Sequence, residues 1–179
     1  MINQFRKEVL KLKNASHVNK KVLDQFLFRI NLGNLIRQQN QDDHFCSFFL
    51  PLDLKTKSVY LGHHIKAGDW IPPGGHIDPN EIPIETVKRE FVEELQYKLK
   101  KEKVQLFDLT IKDLSDNPKH TCKLHYDFWY LVYLNKTDFI FDKSEFYQAK
   151  WLTIPAALKR MKLKNYADII QNLLTFHLI

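Results

Sequence analysis

A rigid loop followed at once by an acidic helical segment constrains this chain more than any other feature of its sequence. The loop at residues 72–75 reads Pro-Pro-Gly-Gly, which cannot continue a regular element and lets the backbone approach a ligand closely. In the segment, Glu90, Glu93 and Glu94 stand at i, i+3 and i+4, so one helix face carries all three carboxylates. They repel each other unless a divalent cation such as Mg²⁺ or Mn²⁺, which prefers oxygen ligands, neutralises them. Arg89 lies where it can brace the acids.

The ends of the acidic segment carry helix signals. Pro83 suits the first helical position and Glu85 the positive end of the helix dipole, whereas Ile82 is a poor N-cap. We predict that the helix runs through Gln96 to about Lys98, because a left-handed Gln costs roughly 1 kcal/mol. An apolar stripe on the other side would hold the helix on a core: Ile84, Val87, Phe91 and Leu95.

This stretch resembles the signature of the Nudix hydrolases, G-x5-E-x7-R-E-U-x-E-E-x-G-U, where U is a bulky apolar residue. Gly75, Glu81 and the run at residues 89–94 stand at the required spacing, so every charged position is present. Gln96 replaces the usual Gly. With so many fixed polar positions, a chance match is far less probable than for a lone Gly-rich motif. The competing interpretation is an acidic, solvated helix. The resemblance covers residues 44–176 and is strongest around the signature.

The resemblance implies an α/β fold in which a mixed β-sheet lies between α-helices. Residues 1–43 would form an N-terminal helical extension packed on the core, and residues 44–179 the Nudix domain. It also implies hydrolysis of a nucleoside diphosphate linked to another moiety X, by attack of water on phosphorus, with Mg²⁺ or Mn²⁺ as cofactor. No subfamily marker near residues 112–115 identifies the substrate.

The resemblance further implies roles for individual residues. Glu90 is one candidate for the base that deprotonates the attacking water, and Glu145 and Asp127 are the alternatives. Arg89 would hold Glu90 or Glu93 in place and so take part in catalysis. The metal ligands and the loop residues complete the set: Glu90, Glu93, Glu94 and the carbonyl of Gly74 for the metal, and Gly75 and Glu81 for the loop.

Candidate substrate-binding residues lie on both sides of the signature. Lys66 and Trp70 precede the loop, and the Trp70 ring either packs in the protein or stacks on a nucleobase. His125 and Asp127 share one face of a strand predicted at residues 124–134, where burial is costly unless both groups are hydrated or paired. Either that face lines the substrate pocket, or the two side chains form a hydrogen bond in the core.

Composition agrees with a globular enzyme. The 179 residues suffice for one domain with a sizeable core, and 44% of them are apolar. No apolar run approaches the roughly 18 residues of a membrane span. The net charge of +6 suits a small anionic nucleotide, and no stable nucleic-acid complex is expected. Cys46 and Cys122 are expected to be reduced structural thiols of a cytoplasmic protein. A homodimer is an open alternative to a monomer.

Periodicity predicts the remaining elements. Two amphipathic helices precede the sheet, at residues 2–12 and 22–30, and a third closes the chain at residues 165–176. Strands are predicted at residues 44–50, 58–63, 104–109, 124–134, 138–142 and 149–152, with a turn at 115–119 and a short helix at 155–162.

Two alternatives to a hydrolase belong to other classes. A Nudix-fold isoprenoid diphosphate isomerase would need a suitably placed Cys and Glu, and the aromatic surroundings of Cys46 do not match that requirement. A non-catalytic nucleotide-binding Nudix domain usually loses acids of the signature, and none is lost here.

Overall fold

The structure, a computed structural model, describes residues 1–115 and 121–176, so residues 116–119 of the predicted turn lie outside the described residues. None of the helices in those two ranges is long and apolar enough to cross a lipid bilayer. In chain order the elements are α1 (Ile2–Leu10), α2 (Lys20–Asn31), β1 (Asp43–Asp53), β2 (Ser58–His64), β3 (Asp69–Ile71), β4 (Gly74–His76), α3 (Pro83–Leu95), β5 (Lys103–Asp113), β6 (Leu124–Tyr133), β7 (Phe146–Thr153), α4 (Ile154–Arg160) and α5 (Lys164–Thr175).

The strands form one seven-stranded sheet in the order β3-β2-β1-β6-β5, with β4 paired to β1 and β7 paired to β2. The α/β fold with a mixed sheet and N-terminal helices is therefore confirmed. The strands predicted at residues 44–50 and 58–63 are confirmed as well, because β1 and β2 span them and pair antiparallel with Leu52 opposite Val59.

The strand predicted at residues 138–142 is wrong, since these described residues adopt no strand. Asp142 instead begins a tight turn. Its carboxylate accepts a hydrogen bond from the Ser144 N–H at 2.7 Å, and its own N–H donates to the backbone oxygen of Glu94 at 2.8 Å. These local bonds replace the strand pairing that the apolar pattern had indicated.

The chain divides into two compact units, which are described separately. Unit one comprises Met1–Phe48, Gly75–Val87 and Leu106–Tyr130, and unit two comprises Phe49–Gly74, Lys88–Gln105 and Leu131–Ile179. The boundary at residues 43 and 44 between an extension and a Nudix domain stays a prediction.

Aromatic side chains from helices and strands form the core of unit one. Phe5 of α1 contacts the rings of Phe45 and Phe128 edge to face, at centroid distances of 5.5 and 5.9 Å. Phe26 of α2 meets the same two rings at 5.5 and 5.3 Å. Edge-to-face pairs add to the free energy gained from burial, so these contacts hold both N-terminal helices on β1 and β6.

A buried arginine fixes the end of α2. The Arg29 side chain donates to the Asp43 carboxylate at 2.6 Å and to the backbone oxygens of Gly33 and Asn34 at 2.6 and 2.9 Å. Gly33 and Asn34 both have positive φ, so the chain turns sharply there, and the guanidinium satisfies the carbonyls of that turn. Asp43 is the first residue of β1, and this bond therefore sets how the first strand begins.

Unit two is organised around the pairing of β2 with β7. The two strands run antiparallel from Ser58 opposite Thr153 to His63 opposite Gln148. Gly62 is required in this ladder, because a Cβ atom there would lie 2.2 Å from the Phe146 ring.

The acidic helix α3 begins as predicted and ends earlier than predicted. The Glu85 carboxylate accepts the Ile82 N–H at 2.9 Å, which compensates for the poor cap. Gln96 has φ +48°, so the extension of the helix to Lys98 is wrong. The Gln96 N–H donates to the Val92 oxygen at 3.0 Å, the left-handed helix ending that Gly usually provides. The hydrogen bonds of this ending outweigh the local strain of a non-Gly residue.

Candidate active site

The last turns of α3 in unit two carry the glutamates singled out by the sequence. Glu90 and Glu94 are buried, with 8% and 6% of their surfaces exposed, while Glu93 is exposed. One nitrogen of Arg89, Nη1, donates to Glu90 Oε1 at 3.0 Å and to Glu93 Oε2 at 2.8 Å. We call these four residues the carboxylate cluster. A single guanidinium bridges two of the acids, so the cluster keeps an excess of negative charge when all three are ionised.

Glu94 is the most constrained of the three acids. Its Oε2 accepts a hydrogen bond from the Gly74 N–H at 2.7 Å, and Gly74 has φ +137°, which favours Gly. Burial raises the pKa of Glu94 well above its ordinary value, and the charges of Glu90, Glu145 and Glu93 raise it further, whereas the Gly74 hydrogen bond lowers it. Without a cation, the Glu94 carboxylate therefore takes up a proton more readily than an exposed glutamate does.

The chemistry of these side chains fits a divalent cation. Carboxylate oxygens are the ligands that Mg²⁺ and Mn²⁺ prefer, and two of the three carboxylates have been removed from water. A cation beside Glu94 would oppose the burial and the neighbouring negative charges that raise its pKa. Glu90, Glu93 and Glu94 would hold the metal, with the backbone carbonyl of Gly74 as the further predicted ligand.

Glu145 lies in the loop before β7, and its charge acts on Glu94. Its carboxylate is 3.3 Å from His64 Nε2 and 3.9 Å from Lys66 Nζ. Its backbone oxygen accepts the Ile65 N–H at 2.8 Å, which fixes the loop. The structure thus brings the predicted residues Glu145 and Lys66 together in unit two.

Trp70 forms a second group in unit two. Its ring stacks on His63 at a centroid distance of 5.6 Å and an interplanar angle of 11°. Lys150 Nζ lies 5.2 Å and Arg160 Cζ 6.0 Å from the centre of the same ring. The half-buried indole is therefore surrounded by cationic groups, an arrangement suited to an anionic ligand with an aromatic part.

The loop residues of the signature belong to unit one. Glu81 Oε2 accepts hydrogen bonds from the Thr86 hydroxyl at 2.7 Å and from the Asp78 N–H at 3.3 Å. Gly75 is the middle residue of β4. Glu81 thus contacts the loop and the first turn of α3 at once.

The other predicted substrate residues lie on β6 in unit one. Asp127 is fully buried, and its Oδ2 lies 3.5 Å from the Thr110 hydroxyl, which itself accepts the Trp129 indole N–H at 2.8 Å. His125 packs against two further histidines, His44 at 5.0 Å and His76 at 5.2 Å between ring centroids. Their roles in substrate binding stay predictions.

Sequence reasoning missed the partners of His125. A second group of side chains, the histidine–cysteine cluster, consists of His44, Cys46, His76 and His125. His44 and Cys46 are two residues apart on β1, a spacing that points both side chains to one face of a strand. From that spacing, the sequence could have predicted that His44 and Cys46 lie side by side.

Comparison with known proteins identifies the family. The family model described as the NUDIX domain matches residues 35–173. No curated protein sequence matches the chain.

Several solved structures share its fold. The Escherichia coli dihydroneopterin triphosphate pyrophosphohydrolase is 18% identical, with a TM-score of 0.64 over 71% of this chain and 92% of that one. A Caenorhabditis elegans Ap4A hydrolase in a binary complex is 19% identical, with a TM-score of 0.63 over 74% and 96%. The NUDIX domain of Shewanella oneidensis NrtR, complexed with ADP ribose, is 14% identical, with a TM-score of 0.60 over 74% and 87%. The chain therefore belongs to the Nudix hydrolase family, a family of hydrolases that act on acid anhydrides in phosphorus-containing compounds.

Proposed function

We propose that the chain is a Mg²⁺- or Mn²⁺-dependent hydrolase that cleaves a pyrophosphate bond in a nucleoside diphosphate linked to another moiety X, by attack of water on phosphorus. The observation that carries the proposal is the carboxylate cluster, because all three acids of the signature are present, Glu90 and Glu94 are buried, and Arg89 bridges Glu90 and Glu93. The similar structures are named for dihydroneopterin triphosphate, Ap4A and ADP ribose, which are ligands of this general type.

The carboxylates would hold the cation, which when bound neutralises pyrophosphate charge and polarises the P–O bonds. Arg89 is a positioning residue, because its Nη1 fixes the carboxylates of Glu90 and Glu93 at 3.0 and 2.8 Å. Glu90 is our first candidate for the base that takes the proton from the attacking water. Glu145 and Asp127 are the alternatives, and Glu145 has a neighbouring His64 at 3.3 Å that can share a proton with it.

Cationic and aromatic side chains would recognise the substrate. Lys66 is exposed beside Glu145, where its ammonium can meet a phosphate oxygen. The Trp70 ring offers a stacking surface for a nucleobase, and Lys150 and Arg160 add positive charge around it. The net charge of +6 favours the encounter with an anionic substrate. Cys46 and Cys122 form no disulfide, which agrees with a cytoplasmic location for this activity.

Release of the nucleoside monophosphate from a panel of nucleotide substrates, with and without metal, tests the proposal. Turnover should require Mg²⁺ or Mn²⁺ and should return when Mg²⁺ is added back after chelation. The cation should also raise the melting temperature, because it binds only the folded chain. Turnover that survives exhaustive chelation, or a melting temperature indifferent to millimolar Mg²⁺, would contradict the metal assignment. A metal-dependent isomerase would release no nucleoside monophosphate, and a binding domain would bind nucleotide without turnover.

A further inference from the structure

The histidine–cysteine cluster gathers four potential metal ligands in unit one. His44 and Cys46 come from β1, His76 from β4 and His125 from β6. One ligand atom from each side chain lies within 4.8 Å of all the others. His44 and Cys46 are buried, whereas His76 and His125 are half-buried, which leaves a path by which an ion can enter.

His44 supplies a second, independent observation. Its side chain is 0% exposed, and its Nδ1 lies 2.9 Å from the backbone oxygen of Asn40. Because a carbonyl oxygen can only accept, Nδ1 carries the hydrogen and donates it, and Nε2 keeps its lone pair. His44 Nε2 is buried and has no hydrogen-bond partner. A buried acceptor of this kind costs free energy unless something occupies its lone pair.

This arrangement is the one that orients a histidine for metal binding. Histidine ligands commonly donate their second ring N–H to a backbone carbonyl, which fixes the tautomer and the direction of the other nitrogen. Burial lowers the pKa of His44, and Arg37 and Arg29 lower it further, although the Asn40 hydrogen bond and Asp43 raise it. Burial thus favours the neutral ring, which is the form that binds a metal.

The ligand types select a metal of different chemistry from that of the carboxylate cluster. Imidazole nitrogen and thiolate sulfur suit Zn²⁺ and are poor ligands for Mg²⁺. A tetrahedral zinc site with these donors has ligand atoms about 3.3–3.6 Å apart, from Zn–N near 2.0–2.1 Å and Zn–S near 2.3 Å. Atoms at the present upper limit of 4.8 Å would have to approach by roughly 1.2–1.5 Å, which side-chain rotation can supply.

We propose that His44, Cys46, His76 and His125 bind one Zn²⁺ in a closed, four-coordinate structural site. Four protein ligands leave no open position, as in structural rather than catalytic zinc sites. The ion would join β1, β4 and β6 of unit one and would stabilise the folded chain by mass action. On binding, the Cys46 thiol would lose its proton to solvent and the thiolate would bond to the ion, while the three histidines bind as neutral rings.

Metal content and cobalt spectroscopy of the full-length protein test this proposal. Protein purified from zinc-supplemented cells should contain about one zinc per chain. Replacement by Co²⁺ should give the visible bands of a tetrahedral site and a near-ultraviolet thiolate-to-cobalt band. His44→Gln should lose at least about tenfold in zinc affinity, and Cys46→Ser should lose the thiolate band.

Matched variants make the assignment specific. Cys122 is also buried, and its Sγ lies 3.8 Å from His76 Nε2, so Cys122→Ser removes a neighbouring thiol that we do not assign as a ligand. This variant should keep zinc and the thiolate band. Glu93→Gln should keep them too, because its carboxylate belongs to the other metal.

Each contrary result has a defined meaning. A wild-type chain that binds neither Zn²⁺ nor Co²⁺ with submillimolar affinity would overturn the site, and this test needs no variant to fold. Loss of the thiolate band in Cys122→Ser but not in Cys46→Ser would overturn the ligand set. Zinc binding in a chain without Mg²⁺-dependent turnover would defeat the proposed function and leave the zinc site standing.

Discussion

The two side-chain clusters differ in how the chain assembles them. The carboxylate cluster consists of neighbours on two turns of α3, residues 89–94. The histidine–cysteine cluster collects residues 44, 46, 76 and 125 from three strands. The first is fixed by helix geometry alone, whereas the second exists only after the sheet has formed. The spacing of residues along the sequence can therefore predict the carboxylate cluster, whereas the histidine–cysteine cluster can be recognised only from the folded structure.

The clusters also differ in the charge of their side chains, yet burial shifts the pKa of Glu94 and of His44 in the direction that favours the neutral form. Burial is the largest cause of the raised pKa of Glu94 and of the lowered pKa of His44. In each case burial favours the neutral form of the side chain. A cation competes with a proton for the Glu94 carboxylate, whereas burial disfavours the proton that would compete for the His44 ring. Binding at the carboxylate cluster should therefore depend on pH through Glu94.

The largest expected effect is a loss of turnover when an acid of the carboxylate cluster is replaced. Glu93→Gln and Glu94→Gln keep the side-chain shape but each removes one charge that would hold the cation, so turnover should fall at least about a hundredfold. Without Mg²⁺, the melting temperature of both variants should stay unchanged or rise slightly. Glu94→Gln removes the i, i+4 repulsion with Glu90, worth about 0.2–0.5 kcal/mol. Glu93→Gln removes a repulsion with Glu90 and the opposing attraction to Arg89. Steady-state kinetics and thermal denaturation measure the two effects.

Lys88→Gln is the control for these variants, because it changes an exposed residue on the same helix. Its turnover should stay near that of the wild type. A glutamine variant of Glu93 or Glu94 that unfolds but retains turnover per folded molecule would show the acids to be structural, and the comparison with the other cluster would collapse.

A second prediction concerns pH and the burial of Glu94. The folded chain holds this proton more tightly than the unfolded chain, so the contribution of Glu94 is fully present below about pH 4.5 and is lost as pH rises through the raised pKa. In Mg²⁺-free buffer, the free energy of unfolding should fall across that window by at most about 1.4 kcal/mol per pH unit from this group.

Urea denaturation at several pH values measures this slope, with Glu94→Gln as the reference that lacks the titrating group. The wild-type slope should exceed that of Glu94→Gln, and saturating Mg²⁺ should reduce the difference because the cation keeps Glu94 ionised. Buffers should lack Mg²⁺ without containing a chelator, so that any zinc is retained. Equal slopes in the two proteins would show that burial does not control this carboxyl group.

Sequence predicted one cluster well because its information is local. The i, i+3 and i+4 spacing of the three glutamates placed them on one helix face, and the family resemblance predicted the fold around them. Pairing between distant strands carries no comparable local signal, so the contacts of His125 with His44 and His76 could not be read from the chain. The strand predicted at residues 138–142 failed for a related reason, because apolar content does not reveal a side-chain-capped turn at Asp142.

A third prediction tests how the carboxylate cluster is held together without a metal. Arg89→Ala removes hydrogen bonds to Glu90 and Glu93 and leaves three acids unbraced. The Mg²⁺-free protein should lose about 1 kcal/mol, the sum of two lost ion pairs and two unscreened repulsions. Turnover should fall as well, since the carboxylates lose their fixed orientation.

Saturating Mg²⁺ should recover part of the stability lost in Arg89→Ala, because the cation replaces the charge of the guanidinium. Arg89→Lys, which keeps the charge but not the bridging fork, should lie between the wild type and Arg89→Ala. Denaturation with and without Mg²⁺ gives both comparisons. Full stability of Arg89→Ala in the absence of Mg²⁺ would mean that the acids do not repel each other measurably.

The smallest expected effect concerns the end of α3, two residues after Glu94. Gln96 adopts φ +48°, a conformation that is strained for residues with a Cβ atom and relaxed for Gly. Gln96→Gly should therefore raise the free energy of unfolding by about 0.5–1 kcal/mol, the relief of strain less the greater freedom of Gly in the unfolded chain. Gln96→Ala keeps the Cβ atom and should not stabilise the protein.

Since Gln96 is exposed and belongs to neither cluster, turnover and zinc content should stay unchanged in both variants. Equal stability of the Gly and Ala variants in urea denaturation would mean that the backbone at residue 96 is not measurably strained.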